Sequence, residues 1–145
     1  MSQNQIDRVL DENIYYYDKN EFGHVILVMK DILKLKLKAD NITKFINKVI
    51  VAIEESLKVS KKYHKTTGYV HVYLNECLLK DISISMFRRL NRELSDRFED
   101  TVENIYLYSN TSFIKRIWGV VKMIVDPLTR KKIHIVIEGV PEVGQ

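Results

Sequence analysis

The stretch Tyr69-Val70-His71-Val72-Tyr73-Leu74 carries the reading of the fold. Successive side chains of a strand point to opposite faces of a sheet. Val70, Val72 and Leu74 therefore share one face, while Tyr69, His71 and Tyr73 share the other. Two later segments repeat the pattern: Ile105 and Leu107 oppose Tyr106 and Tyr108, and Ile133, Ile135 and Ile137 oppose Lys132, His134 and Val136. One face of the resulting sheet is aliphatic and suits burial under helices. The other is amphipathic, rich in tyrosine and histidine, and suits contact with something part apolar and part polar. Tyrosine is also a favoured residue on a half-exposed strand, so the pattern alone does not require a ligand.

Helical periodicity fills the intervals. A first strand at His24–Met29 leads into the lysine-rich segment Lys30–Lys38, for which strand extension and loop both remain open. Asp40 or Asn41 is the candidate N-cap of a helix over about 41–61, where Ile42, Phe45, Ile46, Val49, Ile50, Ile53 and Leu57 recur at three- and four-residue intervals. Similar stripes predict helices over 83–98 and 111–125, the latter ended by Asp126-Pro127. Parallel neighbouring strands need crossover helices, and such crossovers are nearly always right-handed. The expected fold is therefore α/β: a right-handed β-α superhelix with a mostly parallel sheet of four to five strands and helices mainly on one face. It is expected to be a single domain over residues 1–145, with a polar N-terminal segment over 1–20 and a short tail over 138–145.

Composition narrows the function classes. The chain has 145 residues, 46% of them hydrophobic, which suffices for one continuous core. Its 23 basic and 19 acidic side chains give a formal charge of +4, which permits attraction to an anionic membrane surface or nucleic acid without requiring either. The one cysteine, Cys77, excludes an intramolecular disulfide and a thiolate metal cage, and fits a reducing compartment. Met1–Asn20 lacks an apolar signal-peptide core, and no apolar run approaches the roughly 18 residues needed to span a bilayer. The expectation is a cytoplasmic protein whose membrane contact, if any, is peripheral.

No catalytic constellation emerges, and the chain is expected not to be an enzyme. His71 and His134 lie on strands not expected to be neighbours, and no carboxylate cluster joins them, so no metal site is expected. Cys77 with His71 would lack a third orienting group. Glycines are isolated, so neither a P-loop nor a dinucleotide motif is present, and no cofactor is expected. Glu54-Glu55 and Glu99-Asp100 read as solvated helix ends. The basic residues are scattered, and the aromatic groups near them do not form a stacking platform, so no nucleic acid is expected.

Several segments together resemble the CRAL-TRIO lipid-binding family, especially the divergent branch found in some RhoGAP and BCH-domain proteins. Tyr69 to Leu74 looks like the family's central strand, and Met86-Phe87-Arg88-Arg89-Leu90 with Phe98 looks like the following helix. Asn104-Ile105-Tyr106-Leu107-Tyr108-Ser109-Asn110-Thr111 is similar to the next strand and turn. Phe113-Ile114-Lys115-Arg116-Ile117-Trp118 and Ile124-Val125-Asp126-Pro127-Leu128-Thr129-Arg130-Lys131-Lys132-Ile133 resemble the last helix and strand. The resemblance implies a sheet that floors a lipid cavity closed by a mobile gate helix, with the tyrosine-rich face lying where the floor would be.

The chain departs from the family pattern. The family's N-terminal helical subdomain has no counterpart, eight residues follow Ile137, and Thr111 stands where proline is common. An exposed contact surface is therefore expected rather than a closed cage. Its ligand-binding candidates are Tyr69, His71, Tyr73, Tyr106, Tyr108 and His134, with Lys115, Arg116 and Lys122 as phosphate or membrane contacts. The expected partner is a lipid or phospholipid headgroup. The alternative is a protein-interaction or homodimerisation domain using the same face. A STAS-like domain shares the architecture, although Asp81-Ile82-Ser83 is a poor substitute for that family's phosphorylatable turn.

Overall fold

The computed structural model describes residues 2–137. In chain order the elements are α1 (Gln3–Asn13), β1 (Ile14–Lys19), β2 (Phe22–Val28), α2 (Met29–Lys34), α3 (Asp40–Lys62) and β3 (Gly68–Tyr73). There follow a 3-10 turn at Leu79–Asp81, α4 (Ile84–Phe98), β4 (Val102–Ser109), α5 (Thr111–Ile124), α6 (Pro127–Arg130) and β5 (Ile133–Ile137). The strands form one sheet in the order β1-β2-β3-β4-β5. β1 runs antiparallel to β2, and every later pair is parallel.

Sequential order fixes where the helices go. Each parallel crossover steps one strand in the same direction, so right-handed connections place α3, α4 and α5 on the same side. Their apolar stripes pack there against Val25, Leu27, Val70, Leu74 and Leu107, with Phe45, Val49 and Ile53 of α3 at the centre. This is the α/β architecture expected from the alternating pattern. Helix α3 approaches β2 so closely that a Cβ at Gly23 would lie 1.8 Å from the Ser56 carbonyl oxygen. The Gly23 N–H donates to Ser60 Oγ at 2.8 Å, which ties strand to helix at that point.

Three local features differ from the sequence reading. The polar segment 1–20 is built into the domain. Ser2 and Gln5 form a reciprocal capping box for α1, and Ile6, Leu10 and Ile14 are buried. Residues Asn20 and Glu21, both at positive φ (55° and 68°), make the tight turn that pairs β1 with β2. Segment 30–39 is a short helix and turn, with Met29, Ile32 and Leu33 buried at helical spacing. The alternating lysines after Lys34 conceal that spacing.

Helix α3 starts one residue earlier than expected. Its N-cap is Ala39, at φ 45° and without a side-chain cap bond, rather than Asp40 or Asn41. Asp40 instead sits in the first turn, where its charge meets the positive end of the helix dipole. The later helices do have side-chain caps. The Phe113 N–H donates to Asn110 Oδ1 at 2.7 Å, and the Thr129 N–H donates to Asp126 Oδ1 at 2.8 Å.

Candidate functional site: two faces of one sheet

All six strand residues expected to form the ligand surface lie on one face. The register sets His71 beside Tyr106, Tyr73 beside Tyr108, and Tyr106 beside His134. Tyr69 stands beside His24, and Tyr17 beside His24 on the other flank. Among the described residues, the helices pack on the opposite side. His24, Tyr15, Tyr17 and Phe22 join this face, although sequence reading did not place them there. The signal was available: Phe22, His24, Ile26 and Val28 alternate with the aliphatic positions, as do the first and third residues of Tyr15-Tyr16-Tyr17.

The rings of this face stack on one another. Centroids lie 5.0 Å apart for Tyr17 and His24, 5.2 Å for His24 and His71, 5.2 Å for His71 and Tyr106, and 4.2 Å for Tyr73 and Tyr108. The interplanar angles are 14°, 25°, 13° and 5°. Nearly parallel rings this close must overlap face to face, because side-by-side rings would collide at their edges. Ring faces are thus spent on neighbours, and edges and hydroxyls are left to point outward. A base-stacking platform does the reverse, offering its ring faces to the ligand.

A directed hydrogen-bond chain runs beneath the tyrosines. His24 Nε2 is 2.9 Å from the Lys19 carbonyl oxygen, which can only accept, so His24 Nε2–H donates. In neutral His24 the other nitrogen, Nδ1, is then an acceptor. His71 Nε2–H donates to it at 3.0 Å, and the Tyr108 hydroxyl donates to His71 Nδ1 at 2.7 Å. Burial first, then the neighbouring His24 and Lys19, together lower the His71 pKa to about 4. Burial also lowers that of His24 and raises that of Tyr108. His71 is 8% exposed and both its ring nitrogens are engaged. Its part in this face is to hold Tyr108 rather than to stand open to a ligand.

At one end of the face an open depression of about 610 Å³ lies among Tyr15, Tyr17, Tyr73, Ile26 and Val28. Its rim carries Asp31, Asn75 and the ion pair Lys30–Glu76, 2.8 Å between charged atoms. Lys115, Arg116 and Lys122 are not part of this surface. They are exposed on the outer side of α5, whose inner side packs under the aliphatic face. The sheet separates them from the tyrosines.

The aliphatic face holds a second, different space. Between the sheet and helices α4 and α5 lies a cavity of about 200 Å³ that is part open to solvent. Val70, Val72, Leu74, Ile105, Leu107 and Ile133 form its floor, and Phe87, Leu90, Leu94, Ile117, Val120 and Val121 form its roof. The lining also includes the polar residues Asn91, Ser95, Glu99, Thr129 and Lys132. Two bonds join elements around it: Asn91 Nδ2–H donates to the Ile124 carbonyl oxygen at 3.3 Å, and Lys132 Nζ–H to the Glu99 carbonyl oxygen at 2.7 Å.

The model of the CRAL/TRIO domain matches residues 12–139, nearly the whole chain. The chain belongs to the CRAL/TRIO domain family. The fold agrees: the crystal structure of Sfh5 superposes with a TM-score of 0.69 over 90% of this chain, at 15% sequence identity. The match covers 49% of Sfh5, so this chain spans about half the length of that protein. No curated protein matches the sequence. Family membership makes this a member of a group of lipid-binding modules. Among the described residues no helix is long and apolar enough to cross a membrane, and no group of three or more His, Cys, Asp or Glu is placed to hold a metal ion.

Proposed function

We propose that this CRAL/TRIO domain is a non-catalytic lipid-binding module that holds the hydrocarbon part of its ligand in the cavity between the sheet and helices α4 and α5. The cavity itself carries the reading. The space is part open to solvent and lined almost wholly by apolar side chains, so apolar surface there stays in contact with water unless something covers it. A hydrocarbon chain removes that surface from water, against a floor and roof that are apolar. Lys115, Arg116 and Lys122 on the exposed side of α5 would meet anionic headgroups when the domain docks on a membrane. The absence of catalysis is supported by Cys77, whose buried thiol is pushed up to about 11, and by His71, which has no free nitrogen.

Native mass spectrometry of freshly purified protein tests this reading. The expected result is a mass above that of the chain by one small apolar molecule, whose extraction lowers the melting temperature. Protein that stays unliganded after incubation with hydrocarbon ligands, at unchanged melting temperature, overturns it.

A second reading places a partner on the tyrosine face, carried by the breadth of that uncovered aromatic surface. A homodimer formed there predicts a concentration-dependent mass in sedimentation that Tyr106→Glu abolishes. A mass that is constant with dilution and equal to one chain removes it.

A further inference from the structure

The segment between β3 and α4 turns apolar side chains outward. Its 3-10 turn is ordered by its own backbone: the Asp81 N–H donates to the Leu78 carbonyl at 3.0 Å, and the Ile82 N–H to the Leu79 carbonyl at 3.1 Å. Cys77 is buried and Ile82 packs half-buried against the core, which anchors the turn on both sides. Between them Leu78 and Leu79 are 48% and 41% exposed, and Ile84 at the start of α4 is 38% exposed. Exposed apolar groups gathered in one ordered segment mark a contact surface.

The charges around this turn are mostly of one sign. Ion pairs Lys30–Glu76 and Lys36–Asp81 tie the segment to residues 30–38 and use both carboxylates of residues 75–84. Among the described residues, Asp31 is then the one carboxylate of these two segments outside an ion pair, against Lys34, Lys38 and Lys80. Helix α5 packs beside the 3-10 turn and adds the exposed Lys115 and Arg116 within its first two turns. Apolar tips among cations match an anionic bilayer surface, where hydrocarbon lies beneath a layer of negative headgroups.

We propose that this end of the domain is its membrane-docking surface, with Leu78 and Leu79 entering the acyl boundary while Lys80, Lys115 and Arg116 meet anionic headgroups. This rests on the reading above that the domain docks on a membrane, and it is independent of what the cavity holds.

Vesicle cosedimentation of the full chain tests it, with phosphatidylcholine alone and with phosphatidylcholine mixed with phosphatidylserine. The variants are Leu78→Asp, Leu79→Asp and Lys80→Glu, with circular dichroism reporting which of them folds. Lys131→Glu is the control, because it makes the same charge change at an exposed site just before β5, at the opposite end of the parallel strands. The expected result is binding to the anionic vesicles only, weakened by added salt. Each folded variant binds about tenfold or more weakly, and Lys131→Glu stays within about twofold of the parent. Tryptophan emission of Leu78→Trp shifts to the blue on the anionic vesicles.

An equal loss in Lys131→Glu shows attraction by net charge alone, which overturns the assigned surface and leaves the membrane reading. Full binding by a folded Leu78→Asp or Leu79→Asp does the same. Equal binding to both vesicles overturns the part given to the cations. Binding to neither vesicle overturns surface and membrane reading together, and a blue shift in Leu78→Trp that then follows protein concentration assigns the leucines to a second copy of this chain.

Discussion

His24 Nδ1 and His71 Nε2 lie 3.0 Å apart beneath the tyrosine face, and the Lys19 carbonyl decides which of them carries the proton. Because that carbonyl accepts from His24 Nε2–H, both histidines are neutral Nε2–H tautomers and Tyr108 is a donor. Nitrogen chemical shifts of the two rings should show Nε2 protonated and Nδ1 bare in each. A His71 ring protonated at Nδ1 contradicts the chain of bonds.

The same pair sets a pH window for stability. His71 has a folded pKa of about 4 against an ordinary value of 6.5, so the unfolded chain takes up its proton first as pH falls. Its contribution is complete above about pH 6.5 and is lost progressively toward pH 4, up to about 3 kcal/mol. Carboxylates held low by partners, such as Asp81 beside Lys36, act in a more acidic range. Urea unfolding at pH 7 and pH 4.5 should show this loss, and His71→Phe should remove most of the slope. An unchanged slope in the variant would mean that other groups cause it.

Gly23 has no room for a side chain. Ala at this position brings a methyl group into the Ser56 carbonyl, and backbone on both sides cannot step aside cheaply. Gly23→Ala should cost about 3 kcal/mol or more in denaturant unfolding. A cost under about 1 kcal/mol would show that α3 and β2 separate easily.

The tyrosines and histidines of the tyrosine face were legible in the sequence because β3, β4 and β5 alternate, but Lys132, read onto the same face, precedes β5 and reaches the helix side, where its Nζ donates to the Glu99 carbonyl. The helices were legible through their apolar stripes, as in Phe45, Val49 and Ile53. What escaped depended on tertiary contact. Helix α1 buries Ile6 and Leu10 among polar neighbours, too few to mark it in the sequence. The His24–His71 bond joins residues 47 apart, and only the parallel register brings them together. The cavity is a property of how α4 and α5 stand off the sheet, and no single segment encodes it.

Asn91 acts as a fastening beside the cavity. Its amide reaches the Ile124 carbonyl at 3.3 Å, joining α4 to the end of α5. Asn91→Ala should cost about 1 kcal/mol in stability and speed ligand dissociation more than association. Stopped-flow release of a fluorescent hydrocarbon chain measures this, and an unchanged off-rate excludes that role.

Cys77 should be slow to react. Burial pushes its thiol up to about 11, and 8% of the residue is exposed. Its reaction with a disulfide reagent at pH 8 should follow global unfolding and accelerate in denaturant. Immediate stoichiometric labelling of the folded protein would show that the 3-10 turn over it opens readily.

The place of the ligand is tested most directly by crystallising the protein with a hydrocarbon chain brominated at its far end and locating the bromine by anomalous scattering. The account predicts one peak between the sheet and α4–α5, in contact with Val72, Leu90 and Val121. A peak over Tyr73 and Tyr106 on the opposite face, with the interlayer space empty, would contradict it.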